Sequence, residues 1–210
     1  DGFDVGSPNP RPLDGWTGIR GDWQIEDGDG GILIGRNPNP DNPNEEIRAW
    51  HGWPASQLPR SFEATFYLGF AAGFPPDRIG RHGGVMFCCS VPFDSENQDI
   101  VSGYSLDWRD SNGIALYRID DGNRTLLGRF AGGLENPPRR WRIVVEASSI
   151  RFWGDGNLFA EIEDDSYRGG HFGVWARPGI SGRQFGYVGF DDLVVQRFGE
   201  RQPPGWGPIH

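Results

Sequence analysis

Three kinds of residue in this chain could do chemistry, and their spacing sorts them. Acids come nearest to a working pair in Glu161-Ile162-Glu163-Asp164-Asp165-Ser166, where strand alternation would set Glu161 and Glu163 on one face. Two fixed carboxylates flanking a glycosidic bond are what its hydrolysis needs. An acidic strand end running into a turn gives the same pattern and is the reading we take. The four histidines, His51, His82, His171 and His210, are scattered, with neither metal-type spacing nor a Gly-x-Ser-x-Gly elbow nearby. His82 precedes Gly83-Gly84 in what reads as a solvated loop. The two cysteines, Cys88 and Cys89, are neighbours in a strand-like run. Their side chains should point to opposite faces, so a disulfide between them would be strained, and they read as small buried thiols.

Aromatic residues are the third kind. A sugar packs its C–H face on a ring while its hydroxyls take polar edges. Of nine tryptophans, Trp23, Trp108 and Trp141 alternate with polar neighbours and fit a core. Trp50 and Trp53, with His51 between them and Pro54 after, sit in what reads as irregular chain, where binding residues concentrate. Trp175 stands at a strand end, followed by Arg177, Pro178 and Gly179. Asp107, Arg109 and Tyr117 fall on the solvent side of a hairpin and would line a polar groove. The candidate carbohydrate-binding set is therefore Trp50, His51, Trp53, Asp107, Arg109, Tyr117, Trp175 and Arg177.

That hairpin organises the elements that must hold these groups. From Gly103 to Arg118, Tyr104, Leu106 and Trp108 alternate with Ser105, Asp107 and Arg109, the period of a half-buried strand. Setting Trp108 opposite Ile114 and Leu106 opposite Leu116 puts four apolar residues on one face about a loop at Asp110-Ser111-Asn112. Such a face must be covered by a second sheet. A second hairpin closes on Gly154-Asp155-Gly156, with Ile150 and Phe152 facing Leu158 and Ala160. Further strands read at 22–26, 31–34, 61–68, 124–130, 141–146, 171–176 and 187–198, whereas the first twenty-odd residues read as loop anchored by Phe3 and Trp16. Asp27-Gly28-Asp29-Gly30 starts like a calcium loop, but Pro38 stands where an EF-hand needs a bidentate Glu, so it reads as a turn.

About a dozen strands with little helix imply an all-β, two-sheet antiparallel jelly-roll sandwich. It would form one domain over residues 1–198, with an extended Pro/Gly-rich tail over 199–210 suited to docking on another subunit. The 33 glycines, 17 prolines and 13% aromatic content agree. A formal net charge of −9 opposes nucleic acid and anionic membrane surfaces. No apolar run approaches the roughly 18 residues of a membrane span. All 20 basic residues are arginine, which suits bidentate carboxylate pairing and stacking on rings. The sequon Asn123-Arg124-Thr125 falls in a turn.

The order of these elements resembles the concanavalin A-like lectin/glucanase superfamily, nearest its laminin-G-like and 3-keto-disaccharide-hydrolase-like branches. The resemblance is carried by Gly21-Asp22-Trp23-Gln24-Ile25-Glu26-Asp27-Gly28, Phe62-Glu63-Ala64, Gly83-Gly84-Val85-Met86-Phe87, Gly103-Tyr104-Ser105-Leu106, Trp141-Arg142-Ile143, Gly170-His171-Phe172-Gly173-Val174 and 188–195. Glucanases of this fold carry Glu-x-Asp-x-x-Glu on one strand. Here Glu163 replaces the middle Asp and Ser166 the last Glu, which argues against that activity. The resemblance also implies a structural calcium ion between an N-terminal acid (Asp1 or Asp4) and Asp191. The expectation is a non-catalytic, extracytoplasmic glycan-binding sandwich. The alternatives are an interaction subunit of a larger extracytoplasmic or membrane-associated assembly, and an enzyme of the 3-keto-disaccharide hydrolase type.

Overall fold

The computed structural model describes residues 16–20, 22–26, 32–36, 47–51, 58–70, 82–90, 102–109, 113–130, 140–177, 180–181, 184–185 and 187–198. Sixteen strands occur among them, and no helix. They are β1 (Trp16–Arg20), β2 (Asp22–Glu26), β3 (Ile32–Arg36), β4 (Ile47–His51), β5 (Phe62–Phe70) and β6 (His82–Ser90). β7 (Ser102–Arg109), β8 (Gly113–Asp120), β9 (Asn123–Phe130), β10 (Arg140–Val145) and β11 (Ser149–Gly154) follow. The chain continues through β12 (Asn157–Glu163), β13 (His171–Arg177), β14 (Ile180–Ser181), β15 (Gln184–Phe185) and β16 (Tyr187–Arg197).

Fourteen strands build two seven-stranded sheets. The first, in the order β1-β4-β13-β6-β7-β8-β9, is called the front sheet, and the second, β12-β11-β10-β5-β16-β3-β2, the back sheet. All their pairings are antiparallel. The organising hairpin pairs as its apolar alternation requires, Trp108 opposite Ile114 and Leu106 opposite Leu116. These four side chains are buried with Tyr104, Val85 and Phe87 from the front sheet and Phe66, Trp141, Ile143, Phe152 and Phe190 from the back. Phe66 stacks on Trp141 at 5.9 Å, and Phe87 on Tyr104 at 5.5 Å. Burying so many rings between two sheets is the main favourable term in such a fold.

Four local readings needed revision. Residues 16–20 form an edge strand rather than loop, and β4 holds Trp50 and His51 in the front sheet rather than in irregular chain. Both strands have only five residues and follow Pro- and Asn-rich stretches, too short for the period to stand out. Ile150 pairs with Ile162, and Leu158 pairs with Trp153 and is 53% exposed, because a bulge between Phe152 and Trp153 shifts the register. The turn itself is a two-residue one with positive φ at Asp155 (48°) and Gly156 (82°), the hand that matches strand twist. Lastly, His82 is not in a loop; it opens β6 and is 5% exposed.

A bulge at Cys88 (φ 53°) also breaks alternation in β6. Phe87 and Cys88 both join the main core, while Cys89 joins Met86, Ile119 and Trp175 in a second buried cluster. Both thiols are free, and burial pushes Cys88 up to about 12 and Cys89 further. Neither is poised as a nucleophile.

Candidate functional site

The second cluster marks the outer face of the front sheet, the side turned away from the main core. Cross-strand register defines that face. One row runs Arg48 (β4), Trp175 (β13), Gly84 (β6), Asp107 (β7), Ala115 (β8) and Arg129 (β9). Beside it lie Arg177, His82, Arg109 and Gly113 on one side, and Gly173, Met86, Ser105, Tyr117 and Leu126 on the other. Gly84 is required where it stands, since a Cβ there would run into the Leu106 carbonyl.

A polar relay is built into this face. Trp175, fully buried, donates its indole N–H to Ser105 Oγ (3.1 Å), and the Ser105 hydroxyl donates to Asp107 Oδ1. Arg124 Nη1 closes the relay on Asp107 Oδ2 at 2.9 Å. Its guanidinium lies over the Trp175 ring at 5.0 Å and the Tyr117 ring at 5.7 Å, so one cation serves an ion pair and two cation–π contacts. His82 meets the Trp175 ring edge-on at 4.7 Å, and Arg109 Nη2 donates toward His82 Nε2 at 3.5 Å. Coupling of this kind polarises each hydrogen bond by its neighbours and fixes every rotamer.

The structure thus gathers Asp107, Arg109, Tyr117, Trp175 and Arg177 on one face, in different settings from those expected. Asp107 is not on a wet surface: it is 6% exposed and tied to Arg124 and Ser105. Trp175 is a floor under Arg124 rather than an open platform. Arg109 is exposed and Tyr117 half-buried. Trp50 pairs in register with Gly173, two positions from the Arg48–Trp175 pair, and His51 with Phe172. Trp53 lies outside the described residues, as do Asp1, Asp4 and the tail over 199–210.

Sequence reasoning missed Ser105 and Arg124, and it read His82 as a solvated loop residue. The signal for Ser105 was present, since it shares the alternation of Asp107 and Arg109 along β7, whereas Arg124 lies on a separate strand. Asn123, the sequon residue, is exposed at the start of β9 beside Arg124.

Asp191, the described half of the expected calcium pair, lies half-buried in β16 beside the bulge that follows it. Its Oδ1 accepts the Asp192 N–H at 2.8 Å, and burial raises its carboxyl above the ordinary range. Among the described residues no group of three or more His, Cys, Asp or Glu side chains gathers for a metal. Of the expected calcium pair, Asp191 alone lies among the described residues.

The acids of β12 stand apart from this face. Glu161 and Glu163 are exposed on the edge strand of the back sheet. Asp164 closes the sandwich instead: it accepts the Tyr104 hydroxyl at 2.5 Å and pairs with Arg118 at 3.2 Å. Among described residues no helix is long and apolar enough to cross a membrane.

Solved structures share this architecture. A carbohydrate-binding module from Bacillus subtilis superposes with a TM-score of 0.60 at 12% identity, covering 87% of this chain and 95% of that one. A legume lectin-like domain from Entamoeba histolytica gives 0.59 at 12% identity over 89% and 92%. The β-glucanase of Bacillus licheniformis gives 0.57 at 10% identity over 92% and 94%. No protein-family model matches the sequence, and no curated protein does. The chain has the concanavalin A-like sandwich fold of lectins and glucanases, as its residue pattern indicated. Identity this low establishes the architecture alone.

Proposed function

We propose that this chain is an extracytoplasmic glycan-binding module that uses the outer face of the front sheet and does not cleave its ligand. The observation that carries the reading is the locked polar centre of that face, Trp175–Ser105–Asp107–Arg124, ringed by Tyr117 and the exposed Arg109. A face that only met water would have no use for a buried carboxylate fixed by both Ser105 and Arg124. A ligand-binding face does, because preorganised groups cost less entropy when an oligosaccharide docks. Half-exposed Tyr117, supported by Arg124, offers the ring, and Arg109 a charged edge. Asp107 is the sole carboxylate on this face among the described residues and is already ion-paired. That suits an orienting group better than one member of an acid–base pair. The carbohydrate-binding module and the lectin-like domain sharing this fold support the class of ligand.

The test is a glycan array probed with the full chain and with Tyr117→Ala. Binding that falls at least tenfold in the variant, with no change in the length of the bound oligosaccharide on incubation, is the expected result. Release of shortened products would overturn the non-catalytic reading, and an empty array would overturn the glycan reading.

A further inference from the structure

Charge is distributed unevenly between the two sheets. The strands of the front sheet contain seven arginines and only two acids, Asp107 and Asp120. Those of the back sheet contain five arginines and seven acids, in a chain whose net charge is −9. The front-sheet excess is concentrated outward. By register, Arg48, Arg109, Arg124, Arg129 and Arg177 lie on the outer face with Asp107, Arg48 and Arg177 being half-buried, whereas Asp120 alternates to the other side, paired with Arg118 at 3.0 Å. Arg124 pairs with Asp107, and among the described residues Arg109 and Arg129 stand as exposed arginines on either side of β8. Between them β8 presents only Gly113 and Ala115. Neighbouring strands are about 4.8 Å apart, so the two backbones lie roughly 10 Å apart across the sheet over a floor with no bulky side chain.

An overall acidic protein that concentrates exposed arginine on one preorganised face is shaped for an anion. Guanidinium forks fit planar carboxylates bidentately, and charge-assisted bonds of that kind carry specificity as well as energy. We propose that the glycan bound on this face is a uronate-bearing oligosaccharide whose carboxylates pair with Arg109 and Arg129. The proposal rests on the glycan-binding reading above and adds the class of sugar. Bulk electrostatics would not produce such binding, because the whole chain repels polyanions.

The experiment is calorimetric titration of the intact chain with de-esterified oligogalacturonides and mannuronate oligomers. The same oligomers as methyl esters, a sulfated neutral oligomer and cellohexaose complete the panel. The expected result is binding to at least one uronate series, weakened tenfold or more by methyl esterification and by Arg109→Ala/Arg129→Ala. Arg197→Ala, which removes an exposed arginine from the back sheet, should leave it unchanged. Because all three arginines are exposed, circular dichroism should show every variant folded. Equal or tighter binding of cellohexaose or the methyl esters would overturn the anionic assignment while leaving the glycan reading intact. So would a sulfated ligand preferred over every uronate. Loss of affinity equal in Arg197→Ala would reduce the effect to net charge and overturn it as well. Silence across the whole panel, neutral sugar included, would sink the glycan reading and this proposal together.

Discussion

The outer faces of the two sheets are built from the same parts and finished differently. On the back sheet, Arg142 grips Glu63 with two bonds of 2.8 and 3.1 Å, Arg151 pairs with Glu146, and both guanidiniums lie over the Trp153 ring at 4.5 and 5.8 Å. On the front sheet a single guanidinium, Arg124, covers Trp175 and holds Asp107. The back-sheet ladder is balanced, two arginines against two glutamates, and its tryptophan is half-buried on the surface. The front-sheet relay is sunk into the sheet and fringed by arginines in excess. The first arrangement is a self-contained brace. The second has a satisfied centre and, among the described residues, a rim of exposed arginines, the arrangement on which the proposed binding role rests.

Truncating each tryptophan separates the two cases most sharply. Trp175→Ala should cost about 3–5 kcal/mol, since it empties a wholly buried ring site and leaves Ser105 short of a donor. Trp153→Ala, at a half-exposed position, should cost about 1–2 kcal/mol. In a chain of this size that difference is several degrees in thermal midpoint. Equal losses would mean that Trp175 is no more embedded than its counterpart.

A pair of double-mutant cycles probes the next level. Asp107/Arg124 should couple by about 1–2 kcal/mol and Glu63/Arg142 by about 1 kcal/mol or less, because Arg142 is the more solvent-exposed of the two arginines. Arg124→Ala should in addition shift tryptophan emission to the red as Trp175 meets water. A larger coupling on the back sheet, with emission unmoved, would reverse the assignment of brace and binding face.

How far the sequence foretold this comparison depended on period. Tyr104, Leu106 and Trp108 alternate over a long uninterrupted run, so the hairpin, its register with Ile114 and Leu116 and its need for a covering sheet were legible from those residues. The five-residue β1 and β4 were lost among prolines and asparagines. The site was half legible: alternation put Asp107, Arg109 and Tyr117 together, but nothing in the sequence says that Arg124, on β9 four places along the sheet from β13, folds back over Trp175. Non-local geometry of that kind is set by packing and has no local signature. The same limit hid the Phe152/Trp153 bulge that turned Leu158 outward.

Both faces keep their shape only while the sheets stay clamped, and the clamp at Tyr104–Asp164–Arg118 has a pH signature. Burial by itself would raise the Asp164 carboxyl. The bonds from Tyr104, from the Ser166 N–H and hydroxyl and from Arg118 outweigh it and hold the group below its ordinary value of 3.8. The folded-state value is depressed, so the clamp contributes fully above the unfolded value and is lost as pH falls below it. Thermal midpoints measured from pH 6 down to pH 2 should therefore decline on the acid side. Asp164→Asn should flatten part of that decline while lowering stability near neutrality by about 1 kcal/mol. A variant with an acid limb as steep as the parent's would place the proton uptake elsewhere.

A last expected effect concerns the back sheet's final strand. If the brace face is also the structural one, a calcium ion at Asp191, completed by an acid from the N-terminal residues, belongs to it rather than to the binding face. Saturating chelator should then lower the thermal midpoint by several degrees, since an ion bound only to the folded state stabilises it by mass action. Asp191→Asn should start from the lower midpoint and show no further response. Oligosaccharide affinity should be the same with and without the chelator, because an ion held by Asp191 would sit on the other sheet. An unchanged melt would remove calcium from this protein. A melt that holds while glycan affinity collapses would put a cation on the front sheet, and the division of labour between the two faces would have to be redrawn.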